Sequence, residues 1–277
     1  MLYKYLPCDR VDVLENLKIR FTQLRSLNDP FEALPLIDAS LQNAEISSLI
    51  ERDMEKVWSC AEPHEKTVAN RTILESVKKE LLQNSNEILS PHSLGARISQ
   101  RLSLLGVLSL SRTESSLLMW SHYASEGKGF VLAFDDNHTF FHQPDKHGDF
   151  TKPIPVIYSG KRRKVAPEDE NLYQKVLCEK PLEWAYEEEE RVFRSSFSNA
   201  GSVGKDEYDE DIILYDLPLE TIKGIYIGYR ASQDTITKIF SAIKRNCIDC
   251  PVFDSSICTD EYKVKFSASL RGLGQHS

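Results

Sequence analysis

The sequence has no run approaching the roughly 20 apolar residues that a bilayer-spanning helix needs. Its start, Met1-Leu2-Tyr3-Lys4-Tyr5, lacks the apolar core of a signal peptide. The expectation is a soluble, cytoplasmic chain with no membrane partner. Basic charge is also in short supply: 34 Lys and Arg stand against 42 Asp and Glu, a formal charge of -8. That balance argues against a broad nucleic-acid surface held by electrostatics alone. The six cysteines follow no framework spacing, so free thiols are expected. Cys247-Ile248-Asp249-Cys250 is a lone C-x-x-C without the further ligands of a zinc site or the context of a redox pair. Walker A, G-x-G-x-x-G, H-E-x-x-H and zinc-deaminase signatures are all missing, which leaves the common cofactor classes unsupported. No internal repeat appears, which argues against a solenoid.

What is present reads as a single domain over residues 1–277, long enough to bury a real core. The fold class is α+β: a mixed, mostly antiparallel sheet with a helical insertion at about residues 40–105. Residues 2–6 and 19–22 read as strands, with Asp9 capping a helix between them. Leu49, Met54 and Trp58, then Ile73, Val77 and Leu81, then Leu94, Ile98 and Leu102 recur near a helical period. Val107 to Ser111 alternates as a strand, with Ser109 and Ser111 on one face and Leu108 and Leu110 on the other. Thr113 or Ser115 caps a short helix carrying Trp120, His122 and Tyr123, which Gly127 and Gly129 terminate. The apolar Phe130–Phe134 predicts a strand buried on both faces. Further strands are expected at 156–158, 212–215 and 222–229, then a helix capped by Ser232 and edge strands near 252–253 and 262–266. His138, His142 and His147 lie in a polar loop and read as exposed, with no metal assigned.

The densest chemistry lies between Lys180 and Arg194, where Trp184, Tyr186, four consecutive carboxylates Glu187 to Glu190 and Arg191 fall within eight positions. As a strand, this segment puts Glu187, Glu189 and Arg191 on one face, with Arg191 as the cation that relieves carboxylate repulsion. As a helix, it makes Glu187–Arg191 and Glu190–Arg194 ordinary i,i+4 pairs. Two further polar groupings accompany it. Asn28-Asp29-Pro30-Phe31-Glu32 is turn chemistry with a bulky Phe between carboxylates, and Ser109 and Ser111 precede His122. A Ser-His-carboxylate hydrolase lacks its G-x-S-x-G turn here.

Taken together, Asn28-Asp29-Pro30-Phe31-Glu32, Ser109-Leu110-Ser111 with Met119-Trp120-Ser121-His122-Tyr123-Ala124, and Trp184-Ala185-Tyr186-Glu187-Glu188-Glu189-Glu190-Arg191 resemble the recurring motifs of a widespread prokaryotic family catalogued as a domain of unknown function. These motifs extend over about residues 1–230. A more distant resemblance links Ser109-Leu110-Ser111 to the S-T-S strand, and Glu187-Glu188-Glu189 to the E-x-E, of ADP-ribosyltransferases. It implies that Glu189 is the catalytic carboxylate, that Glu187, beside Arg191, orients the acceptor, and that Ser109 and Ser111 support an NAD pocket. Trp120, Tyr123 or Tyr186 would sandwich the nicotinamide, and His122 would belong to the same cofactor site. The cofactor-binding Arg or His of the first strand has no clean match, and Lys4, Arg20 or Arg25 would have to serve.

The acceptor or small-molecule ligand would meet Asn28, Asp29 and Glu32. Two other readings stay open. One is a non-catalytic ligand-binding or regulatory module, in which the aromatics are core and Glu187–Arg191 is a buried ion pair that fixes strand register. The other is a metal-dependent hydrolase using Asp29, Glu32, Glu187 and Glu189.

Overall fold

The computed structural model describes residues 1–32, 34–38, 43–84, 90–142, 152–166, 169, 171–195 and 202–271. His147, Gly201, the expected start of the helical insertion at Ser40 and the tail from Gly272 lie outside them. In chain order the strands are β1 (Leu2–Leu6), β2 (Lys18–Gln23), β3 (Leu36–Ile37), β4 (Leu105–Ser111), β5 (Phe130–Phe134), β6 (Ile154–Pro155), β7 (Ile157–Ser159) and β8 (Lys164–Val165). They continue as β9 (Glu179–Pro181), β10 (Glu189–Ser195), β11 (Ser202–Lys205), β12 (Asp211–Asp216), β13 (Ile222–Ile227), β14 (Val252–Ile257) and β15 (Val264–Ala268). The helices are α1 (Asp12–Asn16), α2 (Asn43–Cys60), α3 (Val68–Gln83), α4 (Pro91–Leu102), α5 (Leu117–Tyr123), α6 (Leu172–Leu177) and α7 (Gln233–Asn246). Among the described residues no helix is long and apolar enough to cross a membrane.

The chain divides into two compact units. One comprises residues 1–32, 103–161 and 177–277, the other residues 33–102 and 162–176. The second unit holds α2, α3 and α4 with the short parallel pair β3–β8. The first unit is built on a sheet in the order β11–β12–β2–β4–β1–β5–β13–β14–β15, with β10 against β4 and β6 against β10. Every pairing in that sheet is antiparallel except β13 with β14, which α7 connects. The fold is therefore α+β, as the alternation of strands with segregated helices predicts.

The pattern of burial follows the period of two. Leu108, Leu110 and Val192 point to the core formed with Leu2, Leu6, Phe21, Phe134 and the apolar stripe of α7. On the opposite face α5 packs Met119 and Trp120 against Tyr5 and Val131. Strand β5 is buried along its whole length, as its uninterrupted apolar run requires. The N-cap of α5 is Ser116 rather than Thr113 or Ser115, and its hydroxyl accepts from the Met119 amide. Asp9 does not cap α1, which starts from Val11.

Helix α5 ends abruptly, because Ser125, Glu126 and Gly127 all take positive φ. Gly129 then passes so close to β1 that a Cβ there would lie 2.0 Å from the Leu6 carbonyl oxygen. No other residue fits that approach, so the chain leaving α5 is held against β1.

The central feature of the sheet is a fork along one edge of β4. Its other edge pairs with β10 throughout, from Ser111 opposite Glu189 to Leu105 opposite Ser195. The first edge is shared: β2 takes Gly106 and Val107, while β1 takes only Ser111. Neither strand pairs with Ser109, and the sheet opens at that residue.

Candidate functional site

The opening at Ser109 is a cavity of about 210 Å³, bordered by Lys4, Asn28, Ser109, Ser111, Tyr123, Lys180, Glu187 and Glu189, with Tyr3, Tyr5, Thr22, Leu27 and Met119 among its other walls. Ser109 and Ser111 are opposite Arg191 and Glu189 in register, so these four side chains share a face of the sheet. The Ser109 carbonyl, at the residue that neither β1 nor β2 pairs, accepts from Lys4 Nζ at 2.9 Å. Ser111 Oγ donates to the Glu187 carbonyl at 2.7 Å, tying β4 to the segment that carries the acids.

That segment is neither the continuous strand nor the helix considered from the sequence. Leu182 to Glu187 is a 3₁₀ helix entered from Pro181, and β10 begins at Glu189. Between them Glu188 adopts φ 43°, a left-handed residue without a glycine's freedom. Glu187 and Glu189 converge on one point, as the strand reading has it, but across the turn at Glu188 rather than along a continuous strand. Lys180 occupies that point, with Nζ 2.8 Å from a carboxylate oxygen of each. The i,i+4 pairs of the helical reading do not form. Arg191 pairs with Glu189 and Glu32, and Glu190 pairs with Arg112 at 2.5 Å.

Arg191 is fully buried and clamped on two sides. Its Nε and Nη2 donate to Glu189 at 2.9 and 3.1 Å, and its Nη1 and Nη2 donate to Glu32 at 2.8 and 2.5 Å. Nη1 also donates to the Leu177 carbonyl. Planar bidentate pairing of this kind uses the guanidinium fork in a way a lysine cannot.

Burial alone would raise Glu189, but Arg191 and then Lys180 outweigh it and hold the carboxyl down to about 2. Burial raises Glu187, and the neighbouring Glu189 charge adds to this while Lys180 and Tyr123 oppose it. The two carboxylates thus split as like charges sharing one site do. Burial, then the bond to Glu187, pushes the Tyr123 phenol far above its ordinary range, so it stays a donor. Tyr123 donates to Glu187 Oε1 at 2.5 Å and accepts from Asn28 Nδ2 at 2.6 Å. Lys4, lowered by burial against the attraction of Glu189, falls to about 8.

Several expected residues are placed elsewhere. Arg20 does not reach the cavity, because Asp206 holds it at 2.5 Å, and Arg25 lies 3.6 Å from Glu210 in the same acidic loop. Trp120 is wholly buried, with Nε1 donating to the Glu114 carbonyl at 2.8 Å and its ring edge-on to Tyr5. It has no free face for a nicotinamide. His122 is exposed, and its Nδ1 is 2.9 Å from the Tyr186 hydroxyl. That pair is not among the walls of the cavity. Asp29 is buried beside the cluster, with Oδ1 accepting from the Phe31 amide at 3.0 Å. Glu32 belongs to the ion cluster, not to the cavity wall. With Glu32, Glu187 and Glu189 each facing cations, no group of three or more His, Cys, Asp and Glu side chains among the described residues is arranged to hold a metal. His138 Nδ1 accepts from the Phe140 amide and His142 Nε2 meets the Asp136 carbonyl. Cys247 and Cys250 are free thiols.

Sequence reasoning missed Lys180. The signal was the charge count: one arginine is too few for the carboxylates it must serve, and Lys180 is the next cation in the same segment.

Fold and site together define an α+β protein whose sheet opens onto a small cavity walled by a buried ion cluster. Residues 119–192 match the model of a family described as Protein of unknown function (DUF2971). The match contains α5 from Met119 onward, Lys180 and the acids through Arg191. It excludes Lys4, Asn28, Glu32, Ser109 and Ser111, and is shorter than the span of about 1–230 over which the motifs extend. No curated protein and no solved structure matches the chain.

Proposed function

We propose that the cavity at the sheet fork binds a small polar molecule and that the protein works as a ligand-binding module through it. The observation that carries this reading is the convergence of Lys4, Tyr123, Lys180, Glu187 and Glu189 on open space. A purely structural ion cluster has no need of a void beside it, since protein interiors pack to near-crystalline density. Donors and acceptors of both charges border the cavity, which suits a ligand offering both hydrogen-bond donors and acceptors. Its volume of about 210 Å³ is below the roughly 300–1,000 Å³ that encloses a drug-sized ligand, so the occupant is small.

A second reading, ADP-ribosyl transfer from NAD to an acceptor, has one observation in its favour. Ser109, Ser111, Glu187 and Glu189 border the same cavity, the convergence that the resemblance to ADP-ribosyltransferases requires. In that reaction Glu189, ionised at every physiological pH, would stabilise the oxocarbenium-like ribose as nicotinamide leaves, and Glu187 would orient the acceptor. Against it stand the two cations that already neutralise Glu189 and a cavity too small to enclose a dinucleotide.

Thermal unfolding with millimolar nicotinamide, ADP-ribose, lactate or glyceraldehyde separates the two. A small solute that raises the midpoint of wild type but not of Tyr123→Phe supports the binding reading, because a ligand stabilises only the state it binds. No shift with any solute overturns it. Release of nicotinamide from labelled NAD, abolished in Glu189→Gln, would establish the transferase instead.

A further inference from the structure

We propose that Lys4 is a nucleophilic amine and that the occupant of the cavity is a small aldehyde or ketone, held as an imine on Lys4 Nζ. This rests on the binding reading and names the class of ligand. Two lysines border the cavity, and they are differently placed. Lys180 is surrounded by three carboxylates, with Glu187 and Glu189 at 2.8 Å and Glu32 at 3.7 Å, and its charge is fixed there. Lys4 is half-buried in the gap between β1 and β2, and its one direct partner is the Ser109 carbonyl, which an uncharged amine can satisfy equally well. Among the described residues no carboxylate lies within 4.0 Å of its Nζ.

Burial, and not the balance of charge, favours release of the proton from Lys4. Glu32, Glu187 and Glu189 face Lys180 and Arg191, so Lys4 is the third cation against three carboxylates. The charged groups acting on Lys4 are Glu189 and Glu187, which hold its proton, and Arg10 and Lys180, which repel it. Burial dominates and brings it down to about 8, while burial and Glu189 draw a proton toward Glu187. The wall of the cavity therefore holds an amine that gives up its proton more readily than an ordinary lysine, beside a carboxyl whose hold on a proton is raised. Imine formation needs no other reagent. The carbonyl carbon bonds to Nζ, the two hydrogens of the neutral amine leave with the carbonyl oxygen as water, and no oxidant or reductant takes part. Desolvated lysines become nucleophiles by this route.

Reductive trapping tests the proposal. Full-length protein is treated with propanal and cyanoborohydride at pH 7.5, and labelling is followed by peptide mass spectrometry, with fragmentation separating Lys4 from the Met1 α-amine. At that pH an amine titrating near 8 is free base roughly 200-fold more often than an ordinary lysine. Allowing for its lower basicity, Lys4 should be labelled at least about tenfold faster than the exposed Lys223, with a half-maximal rate near pH 8. Lys4→Arg keeps a donor for Ser109 and should lose the adduct, with a wild-type circular dichroism spectrum showing that the fold is kept. Lys4 labelled no faster than Lys223 overturns the proposal. If lactate still raises the wild-type unfolding midpoint in that case, ligand binding stands and only the imine falls.

Discussion

Glu32 and Arg191, 159 residues apart, meet as a planar pair in which two guanidinium nitrogens face two carboxylate oxygens at 2.5 and 2.8 Å. This contact fastens the turn after β2 to the strand that carries Glu189. It also fixes the electrostatics of the cavity wall, because Arg191 divides its fork between Glu32 and Glu189.

Arg191→Lys should therefore behave as a disruptive change. A lysine supplies one point charge where four hydrogen bonds in two bidentate pairs are made, leaving buried carboxylate oxygens without donors. A loss of about 3–5 kcal/mol in denaturant unfolding is expected for breaking a buried pair. A loss under 1 kcal/mol would show that the pair contributes nothing beyond surface ion pairs.

The acid limb of stability should belong to Glu189. Its folded carboxyl is depressed from the ordinary 4.5 to about 2, so the stability it confers is complete above pH 5 and is lost as pH falls toward 2. The contribution is on the order of 3 kcal/mol. Glu187, raised in the folded state, has the opposite sign and is relieved by the same protonation. Chemical denaturation between pH 7 and 2 should then show a shallower acid limb in Glu189→Gln than in wild type, and a retained limb in Glu187→Gln. An unchanged limb in Glu189→Gln would contradict the assignment.

These residues also show how far the sequence reaches. Period-two alternation places Ser109 and Ser111 on one face, and an unbroken apolar run places β5 inside, because both depend on neighbours along the chain. Alternation likewise puts Glu187 and Glu189 on one face, whereas the left-handed turn at Glu188 that lies between them falls on a non-glycine and carries no mark in sequence. Arg20 answers to Asp206, 186 positions away, so its recruitment to an acidic loop is equally invisible. The cavity itself arises because β1 and β2 share one edge of β4. That is a matter of topology, to which no single motif testifies.

Glu188 offers a substitution of unusual sign. Its backbone sits in the left-handed region at φ 43° and its side chain is exposed. Glycine removes the steric penalty of roughly 1–2 kcal/mol that an L residue incurs there. Glu188→Gly should therefore be neutral to mildly stabilising, whereas Glu188→Val should destabilise, with thermal unfolding as the readout. A clear loss in the glycine variant would mean that the turn is not strained.

Tyr123 is the residue through which the wall of the cavity can be tuned without touching its charges. Removing its hydroxyl deprives Glu187 Oε1 of a donor at 2.5 Å and Asn28 Nδ2 of an acceptor at 2.6 Å. A hydrogen bond to a charged group is worth about 1.5–3 kcal/mol, and losses in that range are expected for Tyr123→Phe. The bond lowers Glu187 in wild type, so Glu187 should titrate at still higher pH in the variant. Carboxyl carbon NMR across the titration measures this directly. A Glu187 midpoint that stays put or falls would show that the phenol does not hold the carboxylate. A midpoint that rises, together with loss of solute-induced stabilisation, would place Tyr123 and Glu187 as one unit on the ligand side of the cluster.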